Sequence, residues 1–189
     1  MKTQLEKYRD DFPVLRSERL LLRRPVTADA PAFFKAFSDE EVMRHFNRDA
    51  MQQLEEAEKL LTLFETVFQR GDGIRWAIVP LGAHEPAGSI GFHTPDPKHP
   101  FQGEIGYELQ RAFWGKGYAT EAIGLIAPFG LHELGLERIQ ARTMTNNPAS
   151  ARTLEKNGFR FEGLLRKHGW WKNQLHDLNC YSLIKNDLA

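Results

Sequence analysis

The segment Trp114-Gly115-Lys116-Gly117-Tyr118-Ala119-Thr120-Glu121 carries the most specific chemistry in this chain. Glycines at 115 and 117 let the backbone approach a ligand with no side chain in the way. The residues that follow have the pattern of a helix, and a helix start offers N–H groups without intrahelical partners at the positive end of its dipole. The combination is an anion site made of main chain, suited to a pyrophosphate. Lys116 adds a cation and Thr120 a hydroxyl donor. Gly-x-Gly by itself is equally a tight strand-to-helix turn with no ligand. Two familiar nucleotide loops do not fit. The dinucleotide fingerprint needs glycine at 120, where threonine stands. The Walker loop needs glycine where Gln110 stands and a hydroxyl residue where Gly117 stands.

A second constellation decides between these readings. The stretch Asn147-Pro148-Ala149-Ser150-Ala151-Arg152-Thr153-Leu154-Glu155-Lys156-Asn157-Gly158-Phe159 follows the glycine loop. With both motifs present, the sequence resembles the GNAT superfamily of N-acetyltransferases. Within that superfamily it resembles the RimJ/RimL-like ribosomal-protein N-terminal acetyltransferases. Ser17-Glu18-Arg19-Leu20-Leu21-Leu22-Arg23, Glu104-Ile105-Gly106-Tyr107 and the stretch from Asp177 to Ile184 share in the likeness, which thus spans nearly the whole chain. Tryptophan at 114 replaces the usual Gln or Arg, in the manner of this subgroup.

The resemblance implies acetyl transfer from acetyl-coenzyme A to a primary amine, foremost the N-terminal amine of a protein or peptide. A small-molecule amine as acceptor and a non-catalytic coenzyme A binder are the alternatives. It further implies that the strand Tyr107-Glu108-Leu109 binds the pantetheine arm and the acetyl carbonyl through its backbone. The loop from Trp114 through Gly115, Lys116, Gly117, Tyr118, Ala119 and Thr120 would take the pyrophosphate. Asn147 would bond the pantetheine arm, and it also reads as a helix N-cap before Pro148.

Such chemistry needs a held thioester, a sink for the amine proton and a donor for the departing sulfur. Many members of the superfamily supply that donor from a tyrosine whose matching position here is Leu154, which cannot donate. The resemblance places Ser150 in the role of acid, one helical turn from Asn147 so that both face the thioester. It places Glu104 as the base, and strand alternation puts Glu104 and Glu108 on one face, so Glu108 can share the task. An N-terminal amine has a pKa of about 7.7–8.0, so a strong base is not obligatory.

The elements that must position these groups follow from the pattern. Strands are expected at 19–24, 74–79, 87–92, 104–109, 137–144, 159–167 and 175–184. Thr27 is placed to cap a helix with Phe33, Phe34 and Phe37 inward, and Ser38 or Asp39 to start a short turn. An amphipathic helix is expected at 52–70, with Leu54, Ala57, Leu61, Phe64 and Phe68 on one face and Gly71 ending it. Another should run from Gly117 towards Leu134, with a kink or break at Pro128. A short one covers 148–157. The prolines Pro95, Pro97 and Pro100 mark a loop. The order predicts a mixed α/β domain around a mainly antiparallel sheet, spanning 1–189, with residues 1–16 as a short appended segment.

Composition narrows the function classes. Lys plus Arg and Asp plus Glu number 25 each, so no global field gathers nucleic acid or an anionic membrane. The N-terminus MKTQLEKYRDD is charged and reads as no signal peptide, and no apolar run is long enough to span a bilayer. One cysteine, Cys180, precludes an internal disulfide, fits the cytoplasm and reads as a core residue. No His pair has metal-ligand spacing, so no metal is expected. His45 and His168 read first as surface or packing residues, with the acceptor site as the alternative. Trp170 and Trp171, placed between the last two strands, read as core or as the cover of an acceptor pocket or interface. A homodimer is common in the resembling group.

Overall fold

The computed structural model describes residues 2–94, 99 and 101–187. The expected proline loop at Pro95, Pro97 and Pro100 lies outside them.

Short runs of alternating apolar residues bounded by Gly, Pro and Asn produce the strands β1 Leu15–Arg16, β2 Leu20–Arg23, β3 Gly73–Pro80, β4 Gly88–His93, β5 Gln102–Leu109, β6 Arg138–Met144, β7 Arg160–Trp171 and β8 Gln174–Ile184. They form one sheet in the order β1-β2-β3-β4-β5-β6-β8-β7. Its pairs are antiparallel except β5 with β6, which is parallel. The expected mixed, mainly antiparallel sheet is therefore the one observed. The helices are α1 Lys2–Leu5, α2 Ala30–Phe37, α3 Glu40–Met43, α4 Leu54–Arg70, α5 Tyr118–Pro128 and α6 Pro148–Glu155.

Alternation along the sheet divides the core in two. Trp76, Ile78, Ile90, Ile105 and Leu109 face α5 and α6, packing with Ile123, Ile126 and Leu154. Ala77 and Val79 face the other way, onto Phe33, Phe37, Leu60 and Leu61 of α2 and α4. Each face is thus a separate hydrophobic layer, and a residue's parity in its strand decides which layer it joins. Phe34 and Phe64, expected to face inward, are half-buried, and Leu54 is exposed. The N-terminal segment is packed against the first layer: Leu5 is buried, and the Trp76 indole donates to the Pro13 carbonyl at 2.7 Å.

Local signals act as they should where backbone demands them. Gly71 ends α4 in the left-handed conformation, φ 73°. Asp39 caps α3 by accepting the Glu41 N–H at 2.9 Å. Thr27 caps nothing; it opens a 3-10 turn at Thr27–Asp29. The side chain that stabilises this corner is Asp29, which accepts the Val26 N–H at 2.9 Å and a two-pronged contact from Arg23 at 2.7 Å. A carboxylate with a guanidinium partner outcompetes a hydroxyl for that place.

Pro128 breaks the regular α-helix, as the pattern predicts, although the chain goes on winding beyond it. It is the last residue of α5, and Phe129–Glu133 continues as a π turn closed by Leu134 N–H to the Phe129 carbonyl at 3.1 Å. The proline ring removes one i→i−4 bond, and a widened turn absorbs the resulting misfit. Gly130 in that turn lies against β4, where a Cβ would come within 2.9 Å of the Phe92 ring.

Candidate active site

The loop between β5 and α5 has the backbone that the glycines permit. Gly115 has φ +72° and Gly117 φ +80°, a region that side chains rarely enter. Nothing lies within 4 Å of a Cβ built at Gly115, so conformation and open space, not packing, call for glycine. Three contacts hold the loop. Trp114 donates its indole N–H to the Leu109 carbonyl at 2.8 Å, tying the loop to the end of β5. Arg19, beside β2, donates to the Lys116 carbonyl at 3.1 Å and pairs with Glu121 in the first turn of α5. Ser17 bonds the same carboxylate. The Lys116 ammonium rests over the Phe113 ring at 5.4 Å. Tyr118, Ala119 and Thr120 open α5, whose first N–H groups have no helical acceptor.

The sheet itself opens beside this loop. β5 and β6 pair only from Gln102 with Arg138 to Glu104 with Gln140, yet β5 continues to Leu109 and β6 to Met144. Beyond Glu104 the two strands part, and the β6-facing edge of residues 105–109, Glu108 and Leu109 included, lacks a strand partner there. A cavity of about 420 Å³ fills the gap, running from Tyr107, Asn147 and Ser150 on one side of the sheet to Glu104, Arg142 and His168 on the other. An extended amide-bearing chain fits such an opening, because it can satisfy the backbone groups that β6 leaves unpaired.

On the α6 side, Asn147 accepts the Ser150 N–H at 3.1 Å as the N-cap of the helix. Its carboxamide oxygen is thereby engaged, and its NH2 group is what a ligand can meet. The Ser150 hydroxyl lies 2.8 Å from the Tyr107 hydroxyl. Burial pushes the Tyr107 phenol up to about 12, against the pull of its bonds to Ser150 and Thr153. Tyr107 therefore stays protonated, and either hydroxyl can donate in its contact with Ser150. Leu154 is buried in the cavity wall. Sequence reasoning had assigned Tyr107 a backbone role only; its place on the face opposite Glu104 and Glu108 was the available sign.

On the other side, Glu104 is buried and heavily bonded. Arg142 reaches it with Nε at 2.9 Å and Nη2 at 2.6 Å, and Gln140 Nε2 bonds it at 2.9 Å. His93 Nε2 lies 3.9 Å away. Burial lowers the His93 pKa, with Arg75 and Arg142 adding to the effect and Glu104 opposing it. His168 Nε2 sits 2.8 Å from Arg142 Nη1, and since a guanidinium can only donate, that nitrogen accepts. His45 and His168 line the cavity, which is the alternative rather than the first reading of these residues. The regular spacing of Arg138, Gln140 and Arg142 along β6 was the sign that a polar face passes through the sheet.

Glu108 does not join Glu104 at the cavity. Its carboxylate is buried between Arg75 and Ser89, which bond it. Burial pushes this carboxyl up, with Arg75 pulling the other way. Shared face is not shared neighbourhood: four residues along the strand, Arg75 replaces the cavity as the surroundings. Trp170 and Trp171 belong to β7 itself, not to a connection. Trp170 is two-thirds exposed at 67%, while Trp171 lines the cavity. Cys180 is half-buried on β8, not in the core. Among the described residues, no group of three His, Cys, Asp or Glu side chains is placed to hold a metal. No described helix is long and apolar enough to cross a membrane.

Comparison with known proteins settles the family. The profile of the acetyltransferase (GNAT) domain matches residues 19–160. The chain belongs to the GNAT acetyltransferases. It is an acetyl-coenzyme A-dependent N-acetyltransferase. It is 40% identical to the uncharacterized N-acetyltransferase YoaA of Bacillus subtilis, over 92% of this chain and 98% of that protein. A GNAT acetyltransferase structure from Bacillus anthracis superposes with a TM-score of 0.82 at 26% identity, covering 92% and 99% of the two chains. RimL, a ribosomal L7/L12 α-N-protein acetyltransferase crystallised with coenzyme A, shares the fold with a TM-score of 0.81 at 22% identity, over 91% and 98%.

Proposed function

We propose that this GNAT enzyme acetylates the N-terminal amine of a peptide or protein, as RimJ/RimL-like enzymes do, in a cytoplasmic setting. The observation that carries the reading is the single cavity through the parted strands, with Ser150 and Tyr107 on one side and the Glu104–Arg142 pair on the other. The name of RimL as an α-N-protein acetyltransferase, and the fold it shares with this chain, support the choice of acceptor.

The residues divide the work as follows. The backbone of 115–120 and the free edge of β5, with the amide of Asn147, hold the phosphates and the arm of acetyl-coenzyme A. A neutral amine attacks the acetyl carbon as the C–S bond breaks. The amine proton passes to the unengaged lone pair of Glu104, directly or through one water, and the sulfur takes a proton from Ser150, whose hydroxyl is restored by a proton from water while Glu104 gives its own to solvent. Arg142 and Gln140 fix the Glu104 carboxylate in place and take three of its about four acceptor positions, leaving one for the amine proton. A weak base suffices for an amine whose pKa is about 7.7–8.0.

The test is thiol release from acetyl-coenzyme A with a panel of short peptides, polyamines, amino acids and aminoglycosides. Turnover of peptides with a free N-terminus, and loss of it when that amine is blocked, is expected. Turnover confined to the small amines would overturn the choice of acceptor and leave the chemistry intact.

A further inference from the structure

Among the described residues, the buried side-chain polar atoms without a hydrogen-bond partner are His45 Nδ1, Thr143 Oγ1 and Trp171 Nε1. All three belong to residues that line the cavity between β5 and β6. A folded protein leaves few such atoms orphaned, because each forgoes its bonds to water without replacement. Their gathering in one place marks groups that a ligand completes.

They divide by strand face. Thr143 shares its strand face with Ile139 and Ala141, which belong to the layer under α5 and α6, so its hydroxyl faces the side of Ser150 and the coenzyme. Trp171, at the end of β7, and His45, just beyond α3, belong to the acceptor side with His168 and Arg142. The Trp171 ring is held in place. It stacks on His176 with centroids 4.5 Å apart and planes at 15°. It also covers Gly169, where a Cβ would lie 1.9 Å from Cζ3, so no other residue fits at 169 with the ring in this position. An indole N–H can only donate. A fixed, buried donor calls for an acceptor atom on the ligand. The cavity has a single acidic lining residue, Glu104, and Arg142 engages it. This wall therefore favours a carbonyl or carboxylate over a second cationic amine.

We infer that the acceptor of this enzyme carries a carbonyl or carboxylate oxygen beside its amine, and that Trp171 Nε1–H, with His45, recognises that oxygen. The inference rests on the acetyl-transfer reading of the site and sharpens it: the acceptor is an α-amino carbonyl compound, supplied as a peptide N-terminus or as a free amino acid.

The experiment compares alanyl-glycyl-glycine amide, alanine and isopropylamine as acceptors, in the wild type and in Trp171→Phe. The amines differ in basicity, so each is compared with itself across the two proteins. Trp171→Phe should lower kcat/KM for the carbonyl-bearing acceptor about tenfold relative to isopropylamine, as loss of one buried hydrogen bond would. Its affinity for acetyl-coenzyme A, measured by calorimetry, should stay within about twofold and report an intact fold. Preference for the peptide or for alanine identifies the source. Equal loss for all three acceptors would overturn the inference while leaving acetyl transfer standing. Independently of turnover, the Trp171 indole N–H resonance of the coenzyme A complex should move downfield with the peptide and not with isopropylamine. That resonance is assigned by its absence in Trp171→Phe. An indole that responds to neither amine overturns the inference. A response without any thiol release from any amine would instead sink the transfer reading.

Discussion

The two ends of the cavity are built from different materials. The end we assign to the coenzyme is main chain: the unpaired edge of β5 and, beside the cavity, two left-handed glycines and the first N–H groups of α5. The end we assign to the acceptor is side chain: Glu104, Arg142, His168 and Trp171, drawn from β5, β6 and β7. A backbone site is dictated by conformation, so it demands particular residues at fixed spacing and tolerates little change. A side-chain site is dictated by which strands lie side by side, so its residues can be exchanged without disturbing the sheet. One end can thus stay constant while the other changes its ligand.

The sharpest way to break this division is at the point where the two ends meet. Ser150→Ala should lower kcat about 100-fold, the lower range for loss of a positioned acid, with acetyl-coenzyme A affinity unchanged in calorimetry. A normal kcat in the presence of a confirmed acceptor would remove Ser150 from the chemistry. Tyr107→Phe should cost about tenfold in kcat, because the Ser150 hydroxyl loses the partner that orients it but not its place. Restoration of the rate by raising the acceptor concentration would show that Tyr107 acts on binding instead.

The coenzyme end should respond in affinity rather than in rate. Gly117→Ala places a side chain in a left-handed conformation that costs about 1–2 kcal/mol, so the Kd for acetyl-coenzyme A should rise about tenfold. Arg19→Ala should weaken it about threefold. The lost contacts to Lys116 and Glu121 are exposed and modest, but they fix the loop. If either variant changed acceptor selectivity as well, the two ends would be coupled and the division would fail.

Legibility in the sequence followed the same division. Gly115, Gly117, Asn147 and Gly71 could be read because each answers a local backbone requirement that spacing reveals. The strand pattern could be read for the same reason, apart from β1, whose two residues are too short to alternate. The partnership of Glu104 with Arg142, the clamp of Arg75 on Glu108 and the cavity position of Trp171 could not. Each depends on which strands are neighbours, and β5 beside β6 beside β8 is a choice that local pattern does not encode. Thr27 and Asp29 show the limit at close range: both are chemically able to serve the same corner, and the presence of Arg23 across the chain decides between them. Pro128 was a clear anomaly, but only the close packing of Gly130 on Phe92 shows why a widened turn is tolerated there.

The smallest effect concerns what anchors the acceptor end. Arg138 on β6 and Ser182 on β8 both bond Glu162 on β7, which ties the edge strand that carries His168 and Trp171 to the rest of the sheet. The Arg138 guanidinium, aided by the Ser182 hydroxyl, holds the Glu162 carboxyl down at about 2, below its ordinary 4.5. A depressed carboxyl stabilises the fold fully above its unfolded value and ceases to do so as pH falls through its folded one. The contribution from Glu162 is therefore present above pH 4.5 and lost between there and about pH 2. Glu162→Gln should lower Tm slightly at neutral pH and flatten its decline over that interval by the same small amount, since the pair is partly exposed and screened. Hydrogen exchange should locate the difference on β7 and β8. A decline of unchanged steepness would mean that the edge strand is held by its backbone ladder alone, and that the acceptor end needs no charge to keep its shape.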